Sequence, residues 1–272
     1  MKPRGGTAWA SAQLVASASL GLFLLLPVVA LFLTLGWDDF LEGLRNPLLI
    51  PALRLSLLTT SSSLALVVGL GSLFAWRVAR NPGRLSRWLE GVAQLPAVIP
   101  PAVAGVGLLL AFGRRGLLGA FFDRRGIALA FTTPAVVLAE TFVSAPFFVQ
   151  AAIAAFRRVD ENLLVVARTL GASPFRIFVQ VGLPLAAPGL VAGAAMSWAR
   201  AVGEFGATLL FAGNLTGRTQ TMPLAVYTAM ESDLRAAQAL SIILVTVAFG
   251  LLFVLRRMAR GAQLPGTEPR GA

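Results

Sequence analysis

Residues 165–189 read VVARTLGASPFRIFVQVGLPLAAPG and interrupt a chain that otherwise consists mainly of long apolar runs. The segment is too charged to lie in lipid, and residues that end and start helices flank Gly171. A short loop that keeps a folded helix–turn–helix between two apolar runs indicates a surface that contacts another protein. The alternative is a loop that packs on the bilayer with its arginines on lipid phosphates.

The composition indicates a membrane protein. Of the 272 residues, 57% are hydrophobic and 13% are charged, whereas soluble domains carry about 25% charged residues. Apolar runs long enough to span a bilayer recur, and they are continuous rather than alternating, which favours helices over a β-barrel. The net charge of +11 fits arginines at a membrane surface. We therefore expect membrane lipid, and not nucleic acid, as a partner.

Several kinds of chemistry are excluded by residues that the chain lacks. It contains no cysteine and no histidine, which excludes disulfides, thiol chemistry, zinc clusters and histidine acid–base catalysis. A nucleotide-binding P-loop needs a lysine after its glycines, and Lys2 is the only lysine. We therefore expect no enzyme activity, no metal and no cofactor on this chain, and any ATP hydrolysis must occur on a separate subunit.

The hydropathy pattern predicts an all-α membrane protein with about six transmembrane helices. We expect residues 1–10 to form a cytoplasmic N-terminus, residues 11–256 the transmembrane domain with a loop at 157–187, and residues 257–272 a disordered cytoplasmic tail. The first apolar run is longer than a secretory signal, so it is interpreted as a retained span. The predicted spans are 11–36, 53–76, 92–112, 134–156, 188–212 and 237–255.

The distribution of arginine predicts the orientation. Loops on the side of Lys2 and Arg4 hold more basic residues than the opposite loops, so both termini are expected to be cytoplasmic. The loop at 157–187 then lies in the cytoplasm. One opposite loop opposes the trend with Arg114, Arg115, Arg124 and Arg125.

The first helix of the polar loop is predicted from its cap and its apolar face. Asp160 is a suitable N-cap, and an acidic residue follows it in the first turn, where the helix dipole favours negative charge. Leu163, Val166, Ala167 and Leu170 then fall on one helical face.

A second short helix is predicted after Gly171. This glycine stands where a helix ends in a left-handed residue. Ser173 is the expected N-cap and Pro174 the first helical residue. Leu183 and Pro184 are expected to close this helix and return the chain to the membrane.

Three ionisable residues fall inside predicted spans: Glu140, Arg200 and Glu204. Such residues are costly in lipid and usually face a bundle interior or an aqueous cavity. Arg200 and Glu204 are four residues apart and share a helical face, so one interpretation is a self-neutralising pair that fixes helix packing. In the other, the two glutamates and Phe205 form a constriction that closes a transport pathway.

Adjacent prolines, Pro100 and Pro101, lie in the first half of the third predicted span. They remove two backbone donors and resist helix formation, and such a break survives in lipid only beside other helices or water. The two interpretations are a flexible approach beside a transport pathway and a simple helix start.

The polar loop resembles the coupling motif of ABC importer permeases, known as the EAA loop. The resemblance rests on Ala167, Gly171 and VGLP at 181–184, although Val165 and Val166 stand where the family usually has Glu and Ala. By this resemblance the loop inserts into a cleft on a nucleotide-binding subunit and transmits its closure on ATP. The implied coupling residues are Ala167, Arg168, Thr169, Leu170, Gly171, Ala172, Ser173 and Pro174.

Motifs in the last third of the chain resemble those of molybdate-transport permeases. Sulfate and thiosulfate permeases are close relatives, usually with Tyr-Gly in place of Phe205 and Gly206. The resemblance covers about residues 50–255. The motifs are GEFGAT at 203–208, AGN at 212–214, and TQTMPLA at 219–225 followed by Tyr227.

The resemblance implies a type I ABC importer permease in the cell membrane that imports an oxyanion, with molybdate or tungstate as the expected cargo. Its implied partners are a second copy of itself, two ATPase subunits that hold ATP and Mg, and an extracytoplasmic oxyanion-binding protein. The candidate pathway residues come from the interpretations of the charged residues within spans and of the proline break; they are Glu140, Arg200, Glu204, Phe205, Pro100 and Pro101.

Three alternatives remain open from the sequence. The first is a sulfate or thiosulfate permease of the same class. The second is a secondary transporter driven by an ion gradient, with Glu140, Arg200 and Glu204 as coupling sites. The third is a membrane scaffold whose polar loop only docks a partner.

Overall fold

The computed structural model describes residues 5–261, which fold into helices and turns without a strand in that range. The prediction of an all-α protein is therefore confirmed. The helices are α1 Gly5–Leu33, α2 Trp37–Leu44, α3 Leu49–Arg80, α4 Arg84–Val98, α5 Pro101–Phe112, α6 Gly119–Asp123, α7 Thr133–Arg157, α8 Glu161–Thr169, α9 Pro174–Ile177, α10 Leu183–Val202, α11 Gly206–Ala212, α12 Met222–Ser232 and α13 Leu234–Gly261.

Five helical stretches are long and apolar enough to cross a membrane, and α4 with α5 forms a bent pair that makes a sixth. This count agrees with the prediction of about six spans. The five stretches are Trp9–Leu33, Leu49–Arg80, Thr133–Arg157, Pro174–Val202 and Leu234–Val254.

The core of the bundle lies where α3, α7 and α10 pack together. Large side chains of α7, such as Phe148 and Phe156, are fully buried there, and small ones such as Ala75 and Ala152 let the helices approach closely. Close packing of this kind is the main source of stability between helices in lipid, where the hydrophobic effect between them is lost. Helix α13 packs on α10, α12 and α2, and α1 packs on α13.

The third predicted span, 92–112, consists of parts of two helices that meet at the adjacent prolines. The chain bends by 114° between α4 and α5. Ile99 and Pro100 adopt extended backbone angles, and Pro101 is the first residue of α5. A residue before proline is driven out of the helical region, and proline fits the first helical position. The two prolines therefore both end one helix and start the next.

The predicted closure of the second loop helix by Leu183 and Pro184 is wrong. Helix α9 continues through a π-turn, Phe178–Gly182, directly into α10. In a regular helix the ring of Pro184 would clash with the carbonyl four residues earlier. The wider π-turn accommodates it, because the amide of Leu183 donates to the carbonyl of Phe178, five residues back.

The fifth predicted span, 188–212, is divided. Helix α10 ends at Val202, residues 203–205 form a break, and α11 follows. At the two ends of the chain, residues 1–4 and 262–272 lie outside the described residues. The predicted N-terminal segment, 1–10, overlaps α1, and the predicted tail, 257–272, begins within α13.

Candidate functional site

The α8–α9 hairpin, residues 160–177, has the caps that the sequence predicts. The Asp160 Oδ1 atom accepts a hydrogen bond from the Asn162 amide at 2.9 Å. The Ser173 Oγ atom accepts from the Arg176 amide at 3.4 Å, and Pro174 is the first residue of α9. Each side chain satisfies an amide that has no partner inside its helix, so both helix starts are defined locally.

The turn between the two helices depends on Gly171, whose φ is +81°. Its amide donates to the Arg168 carbonyl at 2.9 Å, and the Ala172 amide donates to the Ala167 carbonyl at 3.0 Å. These two bonds form a Schellman motif, which requires a left-handed residue at this position. A Cβ atom on Gly171 would meet nothing within 4 Å. The requirement for glycine therefore comes from the backbone conformation and not from crowding.

The predicted apolar face of α8 is only partly buried. Leu163 and Val166 are exposed, and Leu170 is 81% exposed, while Ala167 packs against the core. The side chain that anchors α8 is Leu164, which is completely buried and which the sequence analysis did not single out.

Across the turn, Phe175 is 74% exposed. Arg168, Thr169, Ser173, Pro174 and Arg176 are also exposed. The tip of the hairpin thus presents large apolar side chains with basic residues beside them. Exposed apolar patches of this kind mark interaction surfaces.

The intramembrane glutamates are both buried, with 2% of each residue exposed. The Glu140 Oε1 atom accepts a hydrogen bond from the Thr59 hydroxyl of α3 at 2.8 Å, while its Oε2 atom has no hydrogen-bond partner among the described residues. Thr59 was missed by the sequence analysis. The spacing of Ser56, Thr59 and Ser63 on one helical face was the available signal.

Glu204 lies at the break between α10 and α11. Its Oε1 atom accepts from the Ala207 amide at 2.8 Å, in the first turn of α11. Its Oε2 atom lies 2.7 Å from the Arg200 Nη1 atom, one helical turn earlier, as an ion pair whose N–H is not aligned for a hydrogen bond. The predicted Arg200–Glu204 pair is present, and Glu204 additionally starts α11.

The two helix breaks lie against each other. A Cβ atom on Gly206 would lie 3.1 Å from the Pro101 Cβ atom. A Cβ atom on Gly105 would lie 2.8 Å from the Ala207 carbonyl oxygen. Helices α5 and α11 therefore pack closely at both positions, and at Gly105 the approach of the Ala207 backbone leaves no room for a Cβ atom. Pro101, at the start of α5, therefore lies beside the break between α10 and α11 that contains Glu204.

Phe205 lies at the same break and is partly exposed. Its ring packs against Tyr227 of α12, with centroids 5.4 Å apart. Both rings line an open cavity of about 420 Å³, whose lining does not include Glu140. Of the six predicted pathway residues, Phe205 lines this cavity and the other five do not. Glu140 lies on the buried α3–α7 interface.

Glu231 follows Tyr227 by one helical turn on α12. A hydrogen bond to the Glu231 carboxylate, together with its negative charge, raises the pKa of the Tyr227 phenol. The phenol thus stays protonated and remains a donor beside the Phe205 ring.

Comparison with known proteins supports the family resemblance seen in the sequence motifs. The family model described as "Binding-protein-dependent transport system inner membrane component" matches residues 67–260. The Molybdenum transport system permease protein ModB of Mycobacterium bovis is 44% identical over 249 residues, which are 91% of this chain and 92% of that protein.

A second relative is Sulfate permease 2, chloroplastic, of Chlamydomonas reinhardtii. It is 35% identical over 254 residues, which are 91% of this chain and 68% of that protein. Among solved structures, a chain of a bacterial alginate ABC transporter, in complex with its alginate pentasaccharide-bound periplasmic protein, matches with a TM-score of 0.76. That match has 18% identity and covers 95% of this chain and 96% of that one, so it shows the fold alone.

Proposed function

The chain belongs to the family of binding-protein-dependent inner membrane transport components, and from that premise we propose that it is the membrane subunit of an ATP-driven ABC importer for molybdate. The observation that carries the proposal is the 44% identity, over 91% of the chain, with a molybdenum transport permease. Tungstate has the same charge and shape and is the expected second cargo.

The α8–α9 hairpin is the proposed docking surface for the ATPase. Leu170 and Phe175 are large, apolar and exposed, so a cleft on another subunit would remove them from water. This chain has no P-loop lysine, so ATP and Mg belong to that subunit. The proposed coupling residues are Ala167, Arg168, Thr169, Leu170, Gly171, Ala172, Ser173 and Pro174.

The proposed pathway runs beside the two helix breaks. The cavity at Phe205 and Tyr227 is open on one side, and a second copy of the chain facing it would complete a pathway between two subunits. Movement of the packed pair α5 and α11 would then open and close the pathway by alternating access. The proposed pathway residues are Pro100, Pro101, Glu140, Arg200, Glu204 and Phe205.

The proposed orientation has both termini and the hairpin in the cytoplasm, as the arginine distribution favours. A binding protein on the opposite side delivers the oxyanion. The chain itself binds no cofactor in this mechanism, because the energy comes from the ATPase subunits and the selectivity from the binding protein.

Reconstitution tests the proposal. The chain is assembled in vesicles with its ATPase and binding protein, and uptake of labelled molybdate is followed with and without ATP. We expect ATP-dependent uptake that tungstate competes. Uptake that needs no ATPase, and that an uncoupler abolishes, would instead support an ion-gradient transporter.

Sulfate is the second candidate cargo, and the 35% identity with a chloroplast sulfate permease favours it. Competition decides between the two cargoes. If an excess of sulfate suppresses the uptake of labelled molybdate as strongly as tungstate does, the importer is a sulfate permease with broad selectivity.

A further inference from the structure

The last turn of α3 contacts both ends of the α8–α9 hairpin. Trp76 and Arg80 are four residues apart on this turn and therefore lie on one face of the helix. The Arg80 guanidinium stacks on the Trp76 ring, with its Cζ atom 5.1 Å from the ring centroid. The family resemblance assigned neither residue a role.

Arg80 holds the chain where it enters the hairpin. Its Nη2 atom donates to the Phe156 carbonyl and, at 3.0 Å, to the Val159 carbonyl. The carbonyls at the end of a helix have no partner inside it, so Arg80 caps α7 and fixes the turn that leads into α8. Glu161, the first residue of α8, attracts the same guanidinium.

Trp76 holds the chain where it leaves the hairpin. Its ring packs against Phe178 with centroids 5.5 Å apart, and against Phe156 at 5.2 Å. A Cβ atom on Gly182 would lie 2.5 Å from the Trp76 ring. Phe178 and Gly182 are the two ends of the π-turn, so the irregular turn follows the surface of this tryptophan.

We propose that Trp76 and Arg80 form a clamp that ties both ends of the α8–α9 hairpin to α3, so that an ATPase subunit that displaces the hairpin also displaces α3. The identity of the partner, an ATPase subunit, rests on the proposed function. The clamp itself rests only on the contacts of Trp76 and Arg80 in the structure. Because α3 is one continuous helix, the movement reaches Thr59, roughly 30 Å along the axis, where the Thr59 hydroxyl holds Glu140.

A distance measurement tests the clamp without the ATPase. The chain has no cysteine, so spin labels can be placed at Leu73→Cys on α3 and Thr169→Cys on the hairpin, both exposed positions. Pulsed electron paramagnetic resonance in vesicles should give one narrow distance population. We expect Arg80→Ala to broaden it about twofold by loosening the entrance of the hairpin.

Matched variants make this result specific. Arg77→Ala removes the same charge from the same helix at an exposed position and should leave the width unchanged. Arg80→Lys should keep the distance population narrow, because a lysine ammonium can donate to the same two carbonyls as the Arg80 Nη2 atom. Gly182→Ala, which must displace Trp76, is the second test should Arg80→Ala fail to fold. Unchanged widths in Arg80→Ala, or in Gly182→Ala in its place, overturn the clamp.

Transport measured per ATP hydrolysed gives the functional outcome. In the complete complex, Arg80→Ala should lower molybdate uptake per ATP roughly fivefold while ATP hydrolysis continues, since the coupling is loosened and not the ATPase itself. Arg77→Ala should behave as the unmodified chain. An unchanged ratio in Arg80→Ala contradicts the clamp as a coupling element. If the unmodified complex shows no ATP-driven uptake, the proposed function fails, while the distance widths still decide the clamp.

Discussion

Gly206 of α11 lies against Pro101 of α5, so closely that a Cβ atom on the glycine would be 3.1 Å from the proline Cβ atom. Each residue stands at a break in a membrane helix: Pro101 after the 114° bend and Gly206 after residues 203–205. Two interrupted helices thus support each other at their interruptions. Backbone groups freed by such breaks need neighbouring protein in lipid, and this contact supplies it.

The contact between α5 and α11 predicts different effects at two neighbouring glycines. Gly105→Ala should cost about 1–3 kcal/mol of stability, because its Cβ would lie 2.8 Å from a backbone carbonyl that cannot move aside freely. Thermal unfolding in detergent measures the loss. Gly107→Ala, on the same helix with nothing within 4 Å, is the control, and an equal effect of the two changes would contradict the packing argument.

Replacement of Gly171 by a β-branched residue is expected to impair coupling to the ATPase. Gly171→Val forces a β-branched residue to a φ of +81°, which costs about 1–2 kcal/mol or more and should distort the hairpin tip. We expect normal membrane insertion but loss of ATPase co-purification and of ATP-driven uptake. Gly171→Asn is the control, because asparagine tolerates this conformation. Retained ATP-driven uptake in the valine variant would falsify this prediction.

Leu164 of α8 and Leu170, the residue that follows this helix, should separate docking from folding. Leu170→Asp changes an exposed side chain and should weaken ATPase binding about tenfold or more, as loss of a central apolar contact does, without changing thermal stability. Leu164→Ala should instead lower stability by about 2–5 kcal/mol, since it empties a buried site. Titration of the ATPase onto the permease distinguishes them. The docking assignment fails if Leu170→Asp binds normally.

A double-mutant cycle tests whether the Arg200–Glu204 ion pair stabilises the break between α10 and α11. Arg200→Met leaves the buried Glu204 carboxylate without its cation and should cost about 3 kcal/mol or less, because the Arg200 side chain is 27% exposed. Adding Glu204→Gln should recover part of this loss. Thermal unfolding of the four proteins measures the coupling, and strictly additive effects would show that the pair does not stabilise the helix break.

Removal of the Phe205 ring is expected to change the leak or the rate of transport. Phe205→Ala removes the ring that packs on Tyr227 beside the open cavity, so we expect a higher leak of oxyanion or a changed transport rate in vesicles. Tyr227→Phe keeps the packing and loses only the hydroxyl, and should show a smaller effect. Unmodified behaviour of Phe205→Ala in both measurements counts against a role in closing the pathway.

Prediction from sequence succeeded where the cause is local. The caps at Asp160 and Ser173 and the left-handed residue at Gly171 are set by a few neighbouring atoms, and all are present. Prediction failed at Pro184, because whether a proline ends a helix depends on how the preceding turn packs. Here the π-turn fits around Trp76, which lies about a hundred residues earlier in the chain.

The sequence by itself determined the class of protein, since composition and apolar run length decide whether a chain lies in a bilayer. It also determined the capped hairpin and the absence of a P-loop. Only the tertiary structure decided which side chains meet: Thr59 with Glu140, Gly206 with Pro101, and Arg80 with the end of α7. These contacts join residues distant in the chain, and their energies depend on packing geometry that no local pattern encodes.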